Sequence, residues 1–130
     1  MKQLSNDDMC FACGPENPIG LKLRFHFEGE EYVTEFEVRP EHQGWAGIMH
    51  GGLLTTLLDE VMARLLWERQ SNAITAKLEV RFLRPVAVGE RLVVRGRIVE
   101  DRGRRVLTRA EALGADQTAV ATAEALSLRL

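Results

Sequence analysis

Apolar and polar residues alternate through most of this chain, and one block breaks the rhythm. Leu21, Leu23, Phe25 and Phe27 alternate with Lys22, Arg24 and His26, which predicts a half-buried strand over 21–27. Gly29 turns the chain, and Tyr32, Thr34, Phe36 and Val38 predict the second arm of a hairpin ending at Pro40. From Leu53 the pattern changes to doublets every four residues: Leu53/Leu54, Leu57/Leu58, Val61/Met62 and Leu65/Leu66. At about 100° per residue these form one apolar stripe, so a helix is predicted over about 51–68, with Arg69-Gln70-Ser71-Asn72 ending it. Alternation then returns. Ile74, Ala76, Leu78, Val80 and Phe82 define one face of a strand over 73–84, with Thr75, Lys77, Glu79 and Arg81 on the other. Further strands follow over 91–99 and 104–114, joined at the Asp101-Arg102-Gly103 turn signal. The Ala-rich run 119–130 fits helix or strand, and the hairpin spacing before it favours strand.

Two strands, one long helix and a meander of four strands give an α+β domain. With a single helix available to cover the apolar face of a curved antiparallel sheet, the helix must lie across its concave side. The length of 130 residues suits a single domain, 1–130. A net charge of −2 carries no electrostatic footprint for nucleic acid. No apolar run is long enough to span a membrane, and the polar opening Lys2 to Asp8 does not read as a signal peptide, so a cytoplasmic protein with no membrane partner is expected.

The candidate chemistry gathers on the helix. Gly51-Gly52 after His50 leave backbone N–H groups bare at its start, where orphan donors and the helix dipole favour a partly negative oxygen. The carbonyl oxygen of an ester or thioester under attack is such an oxygen. His50 is either a helix-entry residue or part of that mouth. Off the apolar stripe run two columns. Thr56, Glu60 and Arg64 predict a solvated surface with a Glu60–Arg64 pair one turn apart. Thr55, Asp59 and Ala63 hold a carboxylate with no basic partner, which belongs in bulk water or in a cleft. Gly51 and Asp59 are eight positions apart, about 12 Å along the axis. If both serve one substrate, they must come from two helices in two subunits, which predicts a homodimer with shared sites.

Ahead of the strands lies Cys10-Phe11-Ala12-Cys13-Gly14-Pro15. A redox dithiol, half of a zinc site and a pair of packing cysteines are the readings available. No second Cys pair at finger spacing follows, and Gly-Pro interrupts the helix that a thioredoxin-like motif opens. Packing cysteines are therefore favoured, zinc shared between subunits is the remaining metal reading, and no metal or cofactor is expected.

The residues now resemble a known family. His50-Gly51-Gly52 with Asp59 after six further residues, followed by Phe82-Leu83-Arg84-Pro85, resembles the hotdog-fold acyl-CoA thioesterases of the PaaI type. The opening Cys10 to Leu23 is similar to one subgroup of them. The resemblance spans nearly the whole chain. It implies a hotdog fold, a sheet of about six strands wrapped round one helix, dimerised through edge strands and in many members paired again as a homotetramer. It also implies metal-free hydrolysis of an acyl-CoA substrate. Asp59 would be general base or nucleophile, the Gly51 amide would polarise the carbonyl, His50 would orient substrate or water, and Thr75 would assist the nucleophilic water. The chain departs from the pattern at Gly44, where many relatives carry Asn; the neighbouring Gln43 is the candidate substitute. Gly52, Trp45 and Met49 are candidate substrate contacts, with Ile48, Leu54 and Leu58 near the same pocket, and Arg81 and Arg84 are candidates for the CoA phosphates. A non-catalytic acyl-CoA-binding module and a hotdog hydratase or dehydratase are the alternatives.

Overall fold

The computed structural model describes residues 3–130. In chain order it contains β1 (Phe25–Glu28), β2 (Glu31–Glu37), a 3-10 turn (Pro40–His42), α1 (Gly51–Glu68), β3 (Ala73–Phe82), β4 (Arg91–Arg102), β5 (Arg105–Leu113) and β6 (Ala119–Arg129). The strands form one six-stranded antiparallel sheet in the order β1-β2-β4-β5-β6-β3. The α+β architecture and the helix limits agree with the sequence pattern. The four-strand meander does not. β3 leaves the helix for the far edge and pairs with β6, while β4 returns to pair with β2. Alternation defines a strand's faces but not its neighbours, so this crossover was invisible in the pattern.

Helix α1 lies against the sheet and touches β2, β3, β4, β5 and β6. Its stripe of Leu54, Leu57, Leu58, Val61, Met62, Leu65 and Leu66 is buried. All of it but Leu66 shares one core cluster with Val94, Ala110, Ala112, Ala121, Ala123 and Ala125 from the sheet. Burying each large side chain contributes about 1.5–3 kcal/mol, which outweighs the weak helical preference of the two opening glycines. The alanines of β5 and β6 keep the sheet surface shallow. The helix comes close at Gly96 of β4, where a Cβ would lie 3.1 Å from Val61 Cγ1. At the C-terminal end Gln70 adopts a left-handed φ of 63°, letting Ser71 N–H bond back to Leu66 O at 2.8 Å and close the helix.

Two boundaries shift by more than two residues. The first strand begins at Phe25 rather than Leu21, because Leu21 N–H and Leu23 N–H bond instead to Phe11 O and Ala12 O of the cysteine loop, and Lys22 takes a positive φ of 54°. The hairpin after β4 turns at Gly103-Arg104, with Gly103 at φ 56°, so β4 runs three residues beyond the expected Val99. The ambiguous 119–130 run is strand β6. Met1 and Lys2 of the opening segment lie outside the described residues; Leu4 N–H bonds to Asn72 Oδ1 beyond the helix end.

Candidate active site

The helix mouth is built by a short loop. His42 is buried beneath it, with its Nδ1 accepting from Arg39 N–H at 2.9 Å and its ring tilted against Phe36. His42 O in turn accepts from His50 N–H at 2.8 Å. His42 thus fixes the point at which the chain enters the helix. Sequence reading passed over it, since one histidine in a polar loop carries no periodic signal.

His50 is the N-cap, its Nδ1 accepting from Gly52 N–H at 2.8 Å. That bond has two consequences. It occupies the Gly52 amide, so Gly52 has no free donor for a substrate. It also requires the proton of the neutral imidazole to sit on Nε2, leaving an N–H donor on the outer side of the ring. Gly51 N–H makes no hydrogen bond among the described residues. It is a bare donor at the positive end of the helix dipole, with the Phe82 ring 3.5 Å from where a Cβ would be.

Asp59 is half-buried two turns further on, and Thr75 Oγ1 donates to its Oδ1 at 3.0 Å. This contact depends on an irregularity. Thr75 pairs with Ser127 and Lys77 with Leu126, so Ala76 is an extra residue and the strand bulges there. Strict alternation assigns Thr75 to the face opposite Leu78 and Val80. The bulge reverses the phase and turns Thr75 inward with them. Burial pushes the Asp59 carboxyl above its ordinary value, and the Thr75 hydrogen bond pulls it partly back. No cation pairs with Asp59 among the described residues. Such a carboxylate is suited to taking a proton from water.

The remaining candidates separate. Gln43 donates through Nε2 to Pro40 O and accepts Gly47 N–H on Oε1, so both ends of its amide hold its own loop. At Gly44 a Cβ would press to 3.2 Å from His50 Cα, so this loop packs directly on the histidine. Met49 is buried in the core and bonds to Val86 O, which makes it a packing residue rather than a pocket wall. Leu54 and Leu58 are likewise core. Trp45 is 83% exposed at the loop tip. Arg84 forms a two-pronged pair with Glu90, both contacts at 3.1 Å, which a phosphate would have to displace. Arg81 is exposed and lines a groove of about 580 Å³ with Arg95, Arg97 and Arg109 on the outer face of the sheet. The walls of that groove include neither Asp59 nor His50.

The expected Glu60–Arg64 pair is replaced by other contacts. Glu60 Oε1 accepts from Cys13 Sγ at 3.1 Å and from Cys10 Sγ at 3.7 Å, while Arg64 contacts Glu68 at 3.5 Å and Cys13 Sγ at 3.1 Å. This helix face is covered by the cysteine loop. A spacing of one turn permits an ion pair but cannot reveal a competitor arriving from 47 positions away.

One helix held in a curved antiparallel sheet, with a bare N-terminal amide and an uncompensated carboxylate, defines a hotdog-fold protein of the thioesterase type. The family model described as the thioesterase superfamily matches residues 46–121, and the chain belongs to that superfamily. Mouse (Mus musculus) acyl-coenzyme A thioesterase 13 is 29% identical over 73 residues, 55% of this chain and 52% of that protein. The chain therefore spans about half the length of the curated relatives it matches. Among solved structures, the thioesterase superfamily protein RHA08564 superimposes with a TM-score of 0.86 at 24% identity, over 93% of this chain and 60% of that one. A point mutant of the phenylacetic acid degradation protein PaaI from Thermus thermophilus gives a TM-score of 0.76 at 28% identity, over 85% of this chain and 95% of that one. No helix of the described residues is long and apolar enough to cross a membrane.

Proposed function

We propose that this chain hydrolyses acyl-CoA thioesters to the free acid and CoA, in a homodimer whose two sites each combine Gly51 of one subunit with Asp59 of the other. The observation that carries the reading is the half-buried Asp59 carboxylate, bonded to Thr75 and matched by no cation. A water held by Asp59 and Thr75 attacks the thioester carbonyl carbon as Asp59 takes its proton. The developing oxyanion rests on Gly51 N–H, where the helix dipole stabilises it. Collapse breaks the C–S bond, and the proton held by Asp59 passes to the departing CoA thiolate. His50 Nε2–H lies beside the mouth to orient the acyl oxygen or the water. Gln43 keeps the loop in shape. Arg81 is the favoured arginine candidate for CoA phosphates.

Two subunits are invoked because the mouth and the carboxylate of one helix are about 12 Å apart. The sheet supports pairing of subunits. β3 is an edge strand of ten residues that carries exposed Ile74 and Phe82, with exposed Leu83 directly after it, and such an edge calls for a partner. Two β3 edges joined antiparallel continue the sheet and bring the second helix alongside the first.

The test is a hydrolysis screen over short, medium, long and aromatic acyl-CoAs, run beside Asp59→Asn. Turnover lost in the variant, with the fold kept, is expected. Undiminished turnover would remove Asp59 from the reaction. Binding without turnover by the unaltered chain would assign it to acyl-CoA binding instead.

A further inference from the structure

The second carboxylate on the helix belongs to a different assembly. Cys10 Sγ, Cys13 Sγ and a Glu60 oxygen all lie within 4.8 Å of one another, each half-buried. From the geometry we infer that these three groups form a binding site for a thiophilic divalent cation, zinc above all, which clamps the N-terminal loop onto helix α1. It is separate from the proposed hydrolytic site, since Glu60 faces the cysteine loop while Asp59 faces β3.

Ligand spacing fits. Across a tetrahedral zinc ion, a thiolate at about 2.3 Å and a carboxylate oxygen at about 2.1 Å stand about 3.6 Å apart. The two sulfur–oxygen separations here, 3.1 and 3.7 Å, bracket that value. The loop has the form of a metal-binding knuckle. Gly14 N–H bonds to Cys10 O at 2.8 Å, and a Cβ on Gly14 would fall 2.4 Å from Cys10 N, so only glycine closes the turn that brings the two sulfurs together. Charge also fits. Two thiolates and one carboxylate around a divalent ion leave one negative charge, and the Arg64 guanidinium 3.1 Å from Cys13 Sγ cancels it. Three protein ligands leave a fourth position for water or an exogenous donor.

A packing role for the cysteines requires no convergence on a carboxylate, and a redox dithiol requires no third ligand. The cation reading uses all three groups and the arginine. It also accounts for the loop, whose backbone-to-backbone hydrogen bonds stay within the segment before β1 and which is tied to the rest of the chain by core packing of Ala12 and Leu23 and by the cysteine contacts with Glu60 and Arg64.

Metal content of the purified full chain, expressed with zinc, decides the matter. About one zinc ion per chain is expected. Cobalt substitution should give thiolate-to-metal charge-transfer absorption. Cys10→Ser, Cys13→Ser and Glu60→Gln should each lower metal content, and chelation should lower the Tm of the parent but not of Glu60→Gln. Circular dichroism separates loss of metal from loss of fold in the variants. The parent cobalt spectrum keeps the test valid should the cysteine variants fail to fold. A metal-free parent with no cobalt charge-transfer band, equal metal in parent and folded cysteine variants, or isolation as a Cys10–Cys13 disulfide would each overturn the proposal.

Discussion

Asp59 and Glu60 are consecutive carboxylates on one helix, and their surroundings differ in kind. Asp59 faces β3, where its hydrogen-bond donor is the neutral hydroxyl of Thr75. Glu60 faces the N-terminal loop, where two thiols converge on it and the Arg64 guanidinium lies beside one of them. A carboxylate without a counter-charge in a half-buried place costs stability and remains basic enough to act on water. A carboxylate enclosed by ligand-type atoms is structural. One residue along a helix is a rotation of about 100°, enough to exchange one role for the other.

The largest expected effect comes from removing the carboxylate proposed to act on water. Asp59→Asn should lower kcat/KM by about 10²–10⁴-fold, read in a thioester hydrolysis assay. The same change should not lower the Tm at neutral pH. With its folded-state pKa raised above the unfolded value, Asp59 favours folding while protonated, and that contribution is lost as pH rises from the unfolded to the folded pKa. Replacing it with a neutral amide removes the penalty. Glu60→Gln should invert the pattern, leaving turnover close to that of the parent while lowering the Tm and exposing the N-terminal loop to protease. Equal effects of the two substitutions on turnover would erase the distinction.

Gly51→Pro sharpens the comparison from the other end of the helix. Proline is tolerated at the first helical position, and His50 already has the extended backbone that precedes proline, at φ −63° and ψ 127°. The substitution therefore removes one N–H with little change to the helix. A fall in kcat of about 10²–10³-fold is expected, with helicity by circular dichroism unchanged.

A smaller effect is expected for Thr75→Val. Losing the hydrogen bond removes the influence that lowers the Asp59 pKa, so the acid limb of the kcat/KM–pH profile should move upward. A purely structural Thr75 would lower activity without moving that limb. Smallest of all, Arg81→Ala should raise KM and leave kcat unchanged.

Sequence pattern and structure agree most where periodicity and burial express the same fact. The leucine doublets define α1 at both ends, alternation identifies β2, β4 and β5, and hairpin spacing favours β6. Agreement fails where the deciding partner is remote in sequence. Nothing in the alternation of β3 announces its move to the far edge or the bulge at Ala76 that swings Thr75 toward Asp59. Glu60 and Arg64 stand one turn apart and suggest a surface pair, yet the cysteine loop claims both. The uncompensated state of Asp59 was legible, because a column of Thr55 and Ala63 offers no cation. The partners of Met49 and Arg84 were hidden for the same reason: the bonds that Val86 and Glu90 make to them come from residues that no local pattern ties to either position.

The central claim is that each site is shared between subunits, and complementation tests it directly. Asp59→Asn and Gly51→Pro chains are each nearly inactive alone on this account. Mixed in equal amounts and allowed to exchange subunits, half of the dimers become mixed, each holding one intact site of two. About a quarter of the parent activity should then return. If both groups served one substrate from the same chain, the mixture would stay at the average of the two inactive parents, and the shared-site mechanism would be contradicted.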